Sequence, residues 1–590
     1  LSELLREMQT GEPRKAQARV ARLAASRVGH ERRKAEHSLK PITISIDNES
    51  SAEMTVLHVQ SEDTPGFLYE LSNALMLSGV NIRRMQIGST ERFVRDTLFV
   101  TDLSGRKLLE EDRLKELTTT ILLVKHCMHL LPTAPDPESA WLHLREFLER
   151  MLSTPGWFES IGDLDEPRFL QSLTQILGVS DYLWEDFLRL HHDRVLPFVQ
   201  NDAYLSEAKS VETLERDLRQ LLSQAGDFEE KKQVLNRFKD RETFRTDVRH
   251  LLGYLTDFSQ FSLELSQICD VVIEAGLSIA RIHLEQTFGY PIDQDSGHPC
   301  RFCAMALGKC GGKELGFASD IELLFLYEGR GMTDGPKPIR EQFFFERQIA
   351  LLGELIVARR EGIFELDLRL RPYGTAGPLA VSVESFRKYY EPDGPAWPYE
   401  RQALVKLRPL AGDSSLATKA LALRDEILYC GRPFDVAAMH GMREKQLLQH
   451  VEGGTIHAKL SPGALVEIEY LIQGLQIAWG RESASLRVPN TLTAIEKLKA
   501  AEVLSAEQAE CLADAYRLLR ELIDALRMVR GNARDLTLPT VDSEEFEFLA
   551  RRTGFGENPE ELLAQFERNS SQVLEVLRKL EERNAFQRPG

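Results

Sequence analysis

The chain has 590 residues, with 73 Lys and Arg against 91 Asp and Glu, for a formal net charge of −18. At roughly 100–200 residues per domain, that length exceeds one compact core and implies about three to five units. Apolar residues make up 43% and charged residues 28%, as in ordinary soluble proteins. The acidic balance argues against a general nucleic-acid or anionic-membrane binder, because phosphate surfaces need clustered Lys and Arg. Seven cysteines, an odd number in a long chain, fit a reduced, cytoplasmic protein better than a disulfide scaffold.

Residues 1–40 carry ten Lys and Arg against five Asp and Glu. They read as a charged helix, with Leu4, Leu5, Met8, Val20 and Leu23 as its apolar positions, rather than as a nucleic-acid arm. They lack the apolar run of a secretory signal. The chain begins at Leu1 rather than Met, so the true start is expected upstream.

Residues 41–130 change texture. ITISI and MTVLHVQ are rich in β-branched residues and read as strands. EDTPGFLYELSNALMLSGV opens on a Pro-Gly turn, places Leu68, Leu71, Ala74 and Leu75 at helical spacing, and stops at Gly79. NIRRMQIGSTERFVRDTLFVTD supplies two more strands around a polar hairpin. The reading is a β-α-β-β unit of ~70 residues, a small α+β sandwich. The most apolar stretch, Ile121 to Leu131, is broken by Lys125, His126 and His129 and falls short of the ~18 residues a membrane span needs.

Residues 131–295 are helical in pattern, as in FLQSLTQIL, YLWEDFLRLH and VETLERDLRQLLSQ. Residues 296–440 alternate strands and helices with Gly-rich turns. Residues 441–590 return to helix, with LVEIEYLIQGLQIAW and LADAYRLLRELIDALRMVR as long amphipathic runs. The expected fold class is α+β multidomain, with residues 1–40, 41–130, 131–295, 296–440 and 441–590 as its segments.

The chemistry concentrates in MALGKCGGKELGFASDIELLFLYEG, Met305 to Gly329. A short strand ends at Gly308. Lys309, Cys310, Gly311 and Gly312 make a tight turn, and Ser319 leads into Asp320, Ile321 and Glu322 ahead of the strand LLFLY. Residues two apart on a strand share a face, so Asp320 and Glu322 project together. Two adjacent carboxylates repel unless neutralised, and a divalent metal with oxygen ligands answers that need. In GIFELDLRLRPYGTAGPL, Phe364, Leu366, Leu368 and Leu370 alternate with Glu365, Asp367, Arg369 and Arg371. That reads as a strand with a charged face. Three acids, arginines and a Gly-Gly turn suit phosphoryl-type transfer.

These residues also carry a resemblance. GKCGGKELGFASDIELLFLY resembles the signature of the glutamine synthetase adenylyltransferase (glutamate–ammonia-ligase adenylyltransferase) family, within the DNA polymerase β-like nucleotidyltransferases. FELDLRLRPYGTAGPL with WPYERQALVKLRPLAGD, HAKLSPGALVEIEYLIQGLQ, and the helical segments FKDRETFRTDVRHLLG and LTQILGVSDYLWEDFL resemble further blocks, collinearly over roughly residues 140–560. Members of that family carry two catalytic halves. One attaches AMP to a tyrosine of glutamine synthetase, and the other removes it by phosphorolysis. One half is visible here, and its GPL and YY look more like the removing half.

The resemblance implies Asp320, Glu322 and Asp367 as catalytic acids and ligands of two Mg²⁺ ions, with Mn²⁺ as a substitute, and ATP or another nucleotide as substrate. It implies phosphate contacts from Lys309, Gly311, Gly312, Ser319, Arg369 and Arg371. Glu322 departs from the Asp usual in the family, and its longer arm shifts the metal. EDTPGFLYELSNALMLSGVNI with RDTLFVTDLSGRKL resembles an ACT domain, a module that commonly binds amino acids. That implies a regulatory ligand near Asp63, Pro65, Gly66 and Asn81, glutamine first, and a homodimer through the ACT-like domain. A purely structural turn is the competing reading of those four residues. PII uridylyltransferases pair such a core with ACT domains, so the implied protein partner is glutamine synthetase or a PII-like protein. A uridylyltransferase-like enzyme and an inactive nucleotide-binding sensor remain the alternatives.

Three further features are read as structural. Cys300 and Cys303 have zinc-like spacing beside His298 and Cys310, but no second Cys-x-x-Cys exists. Glu467 and Glu469 lie two apart on a helix and do not face each other, so a solvated face is expected ahead of an approach of one of them to the active site from the helical domain. Trp397 and Tyr399 are expected in core packing rather than under a base.

Overall fold

In a computed structural model, residues 42–587 are described, apart from 65, 90–92, 132–133, 135–136, 154–156, 158–166, 179–204, 359–363, 531–534 and 557. The expected helix over 1–40 lies outside them, as does Pro65. The chain divides into two compact units, one within residues 1–207 plus 251–254, the other within 208–250 plus 255–590. The helical segment expected over 131–295 is thus shared between them.

The first unit holds β1 (Thr43–Asp47), β2 (Thr55–Glu62), α1 (Phe67–Leu77), β3 (Val80–Ser89), β4 (Phe93–Asp102), α2 (Glu111–Leu130), α3 (Pro137–Leu152) and α4 (Pro167–Leu177). Its antiparallel sheet runs β1-β2-β4-β3. The expected β-α-β-β unit is β2-α1-β3-β4, with ITISI added as an edge strand. Val56, Leu98 and Val100 of the sheet are buried, as are Leu71 and Leu75 of α1 and Ile121 and Val124 of α2. Each such side chain contributes about 2 kcal/mol by leaving water. Gly66 starts α1 with φ +73°, and a Cβ there would lie 1.9 Å from the Trp141 ring. Trp141 also donates to Glu70 Oε1 at 2.7 Å. Close packing of α3 on α1 therefore demands this glycine, whatever else the turn does.

The second unit opens with α5 (Val211–Ser223), α6 (Phe228–Leu251) and α7 (Phe258–Phe288). There follow β5 (Pro291–Asp293), β6 (Arg301–Ala306), α8 (Gly308–Gly312), β7 (Ile321–Glu328), β8 (Gly331–Thr333), α9 (Glu341–Leu355), β9 (Leu366–Asp367), β10 (Ala380–Ser382), α10 (Val383–Tyr390), α11 (Pro398–Ala403), β11 (Arg408–Gly412) and α12 (Ser414–Leu428). The central sheet runs β10-β7-β6-β11, with β9 parallel to the start of β7. Alternation along β6 and β7 builds two cores. Phe302, Ala304, Ala306, Leu323 and Phe325 pack with α7 and α9 residues. Cys303, Met305, Leu324 and Leu326 pack with α10 and α12 residues. A third, all-helical core joins α13 (Val436–His450), α14 (Leu465–Trp479), α15 (Thr491–Ala500), α16 (Ala506–Arg530), α17 (Glu544–Arg552) and α18 (Pro559–Glu582). None of the described helices is long and apolar enough to cross a membrane.

Candidate active site

β7 is buried along its middle, and Asp320 and Glu322 sit at its open start. β9 pairs parallel to it with Glu322 opposite Asp367. Ile321 N–H donates to Glu365 O at 2.8 Å and Phe364 N–H to Ser319 O at 3.1 Å. Three carboxylates therefore converge on two adjacent strand starts, about 5 Å apart in the pairing direction.

Their environments differ. Asp320 Oδ1 and Glu322 Oε2 are buried oxygens without a hydrogen-bond partner. Burial raises both carboxyls above their ordinary range, against the pull of the Lys309 charge. Asp367 is saturated instead. Arg369 grips both of its oxygens, at 2.9 and 3.1 Å from Nε and 2.7 Å from a terminal nitrogen. Burial pushes Asp367 up, but the Arg369 hydrogen bonds outweigh it and hold the carboxyl below its usual range. Two orphaned oxygens from acids two residues apart fit a hard divalent cation, which would relieve both desolvation and repulsion.

The turn after β6 approaches these acids closely. Gly308 has φ +51°, and a Cβ there would lie 2.6 Å from the Glu322 carboxylate. Gly311 and Gly312 are buried in α8. A Cβ on Gly311 would lie 1.9 Å from Lys406 O, and one on Gly312 would meet the Glu314 carboxylate at 2.7 Å. Both glycines serve close packing here, so the phosphate turn expected of them is a short packed helix. Lys309, half-buried on α8, is within electrostatic reach of Glu322, Arg527 and Lys459.

The loop from Glu314 to Ser319 delivers Asp320, and α16 clamps it. Arg520 donates to Glu314 O. Asp524 accepts from Phe317 N–H at 2.7 Å. Arg527 donates to Phe317 O at 3.1 Å and to Ser319 Oγ at 3.4 Å. Ser319 Oγ in turn accepts from Gly316 N–H at 3.0 Å. Ser319 is thus buried as a loop brace, and Ala318 beside it holds a left-handed φ of +54°. Arg520, Asp524 and Arg527 were not anticipated from sequence. Their signal is charge at i, i+4, i+7 within the apolar-periodic run LADAYRLLRELIDALRMVR.

Several expectations are corrected. The charged-face strand ends after Asp367. Arg371 is 9% exposed and donates to Leu368 O (2.5 Å), Gly377 O (3.1 Å) and Thr375 O (3.3 Å), so it ties the loop together instead of facing phosphates. Glu467 is buried and ion-paired with Arg443 at 3.1 Å, not on a solvated face. Trp397 and Tyr399 are 64% and 40% exposed and stack on each other, outside the core. Cys303 packs in the sheet core, and Cys310 lies 3.8 Å from Cys269. Asp270, next to that pair, is already gripped by Arg408 at 2.8 and 2.9 Å.

In the first unit, a cavity of about 210 Å³ opens at the start of α1, lined by Asp63, Thr64, Gly66, Phe67, Asp96 and Lys125 among others. Lys125 donates to Glu62 O at 2.6 Å and lies over the Phe67 ring. Asp96 is buried with Oδ1 unpartnered. Asp63 and Gly66 line the cavity, whereas Asn81 pairs with Thr101, five residues along β4 from Asp96.

Comparison with known proteins finds three matched regions. The family profile for glutamate-ammonia ligase adenylyltransferase matches residues 170–423, that for GlnD PII-uridylyltransferase residues 437–583, and that for the ACT domain residues 55–117. A bifunctional glutamine synthetase adenylyltransferase/adenylyl-removing enzyme of Thioalkalivibrio sulfidiphilus is 33% identical over 296 residues, 48% of this chain and 30% of that protein. The same-named enzyme of Shewanella loihica is 30% identical over 383 residues, 63% of this chain and 39% of that protein. That of Nitrosomonas eutropha is 33% identical over 309 residues, 49% and 32%. The chain spans about a third of the length of these curated relatives.

Proposed function

This chain belongs, over residues 170–423, to the glutamate–ammonia ligase adenylyltransferase family and carries an ACT domain over 55–117; from that premise we propose that it is a divalent-metal-dependent nucleotidyltransferase that moves AMP onto or off a protein tyrosine. Glutamine synthetase is the proposed target, in the cytoplasm. The observation that carries the reading is the convergence of Asp320, Glu322 and Asp367, two of them with orphaned buried oxygens.

In the attaching direction, a tyrosine oxygen bonds to the α-phosphorus of ATP, the bond from that phosphorus to the bridging oxygen breaks, and pyrophosphate leaves. In the removing direction, an orthophosphate oxygen attacks the same phosphorus, the bond to tyrosine breaks, and ADP leaves with the tyrosine hydroxyl restored. Asp320, Glu322 and Asp367 would hold Mg²⁺ or Mn²⁺. Such a cation neutralises charge on the acids and on the phosphates. Arg369 is poised to exchange Asp367 for a phosphate oxygen, since it lies exposed on the same side. Release of Arg369 lets Asp367 take the phenolic proton in one direction or return it in the other. The α16 clamp and Arg371 keep the two loops in place through these changes.

The test is transfer of labelled AMP to glutamine synthetase, and its phosphorolysis, by wild type and Asp320→Asn. No transfer or removal by wild type would overturn the reading. The match of residues 437–583 to the uridylyltransferase profile favours a second reading, UMP transfer to a PII-like protein, tested by UTP in the same assay. An inactive sensor would bind nucleotide without either reaction.

For regulation we propose an amino-acid effector, glutamine first, in the 210 Å³ cavity, with pairing of two chains through the ACT domain. The buried Asp96 oxygen suits an ammonium group, and the start of α1 suits a carboxylate. A thermal-shift screen of amino acids tests this, and no shift with any of them would remove it.

A further inference from the structure

Lys459 precedes α14 in a turn built to hold it. Its N–H donates to His457 Nδ1 at 3.2 Å, and its carbonyl accepts from Val466 N–H at 3.1 Å. Ser461 Oγ accepts from His457 N–H at 2.8 Å. The turn delivers Lys459 to a small cavity shared with Lys309, Arg520, Asp524 and Arg527, over an apolar floor that includes Phe258 and Leu465. Four cations and one acid line it. Among the described residues, neither the Lys309 nor the Lys459 ammonium has a hydrogen-bond or ion-pair partner. Arg527 is 6% exposed, and its Nε is buried without a partner. The nearby acids, Asp320 and Glu322, supply the opposing charge. A divalent cation on those acids would remove that compensation and leave three cations facing the centre, which repel in a partly buried setting.

We propose that Lys459, with Lys309 and Arg527, forms an anion seat for the phosphate groups beyond the reacting α-phosphorus, so that the C-terminal helical segment completes the catalytic centre. The inference rests on the nucleotidyl-transfer reading above. The cavity itself is about 10 Å³, the room of one water, so the anion presents one oxygen to it and lies otherwise against the open side. The chemistry is that of a phosphate oxyanion, which can come from the β,γ end of a nucleoside triphosphate or from free orthophosphate.

The test is equilibrium binding of ATP, AMP, pyrophosphate and orthophosphate to the full chain with Mn²⁺, comparing wild type, Lys459→Met and Lys459→Arg. ATP and pyrophosphate should weaken at least tenfold in Lys459→Met, AMP should stay within twofold, and Lys459→Arg should recover most of the loss. A parallel loss of orthophosphate extends the seat to the attacking phosphate of the removing reaction. Equal binding by wild type and a folded Lys459→Met overturns the seat and leaves the nucleotidyl-transfer reading standing, as does an equal loss of AMP and ATP. A wild-type chain that binds none of the four removes both.

Discussion

The start of β7 and the start of α1 each bury a carboxylate with an unpartnered oxygen near a lysine, and they differ in how much charge is left unmatched. At the start of β7, Asp320 and Glu322 stand together with Asp367 opposite, and Lys309 makes no hydrogen bond to them. At the start of α1, Asp96 stands singly, and Lys125 is engaged by the Glu62 carbonyl and the Phe67 ring. On the proposed reading, the first arrangement holds a divalent cation and the second holds one positive group of an amino acid. The difference lies in the strand register, since parallel pairing of β9 with β7 brings a third acid to one site, while antiparallel β4 brings one acid to the other.

The largest expected effect is at the triad. Asp320→Asn should lower transfer or phosphorolysis by at least about 10³-fold, because several kcal/mol of charge stabilisation would be lost. It should also leave the metal-free protein no less stable at pH 7. Burial raises the Asp320 and Glu322 carboxyls, so the folded state favours their neutral forms. Their stabilisation is complete below the ordinary values of 3.8 and 4.5 and fades as pH rises through the raised ones. The stability gain of Asp320→Asn over wild type should therefore grow from pH 4 upward in denaturant melts, and added Mn²⁺ should reverse it. A gain that shrinks with rising pH would show the acids are not desolvated as described.

Gly308→Val ranks next. Its Cβ would press on the Glu322 carboxylate from 2.6 Å at a φ of +51°, so roughly a hundredfold loss of activity should accompany weaker metal binding, measured by Mn²⁺ titration. Pairing it with Glu322→Asp, which shortens the arm, should recover part of that loss. An additive double variant would break the proposed contact.

Arg371 and Arg369 separate structure from chemistry within one segment. Arg371→Ala frees three carbonyls of the 368–377 loop and should cost about 2 kcal/mol of stability. Arg369 is an exposed partner, so Arg369→Ala should cost less than about 1 kcal/mol while lowering the rate roughly tenfold. Chemical denaturation and steady-state rates check both.

The acid triad was readable because its information is local. A spacing of two on a strand aligns Asp320 with Glu322, and alternation pointed to Asp367. The strand beyond it and the role of Arg371 were misread because alternation cannot show that Arg369 turns back to Asp367 and Arg371 onto nearby carbonyls, which ends the strand. Lys459 and the α16 clamp act across more than a hundred residues, which no local period reports. The trace of the clamp was charge within an otherwise apolar helical stripe, while Lys459 lies in a turn before α14 and left no periodic trace. At the ACT domain, Asp63 and Gly66, which the resemblance implied, line the cavity. Asn81 does not line that cavity, because its distance from Asp96, about 17 Å along the strand, follows from long-range register.

The smallest effect should come from Asp96→Asn. The carboxyl is buried, and burial raises it above its usual range, so an amide of the same shape removes a desolvated charge and should change stability by no more than about 1 kcal/mol. Transfer activity without effector should stay within twofold, because Asp96 belongs to the other compact unit. The thermal shift with glutamine should disappear, since an amide cannot offer an ammonium group the charge that a carboxylate does. If the shift survives, the ammonium is held elsewhere, and Asp96 becomes a buried acid of the fold like Glu70, which accepts from Trp141. The two unpartnered carboxylate sites would then differ in kind and not only in charge, and unpartnered oxygens would mark a ligand at β7 because three acids meet there, not because one is buried.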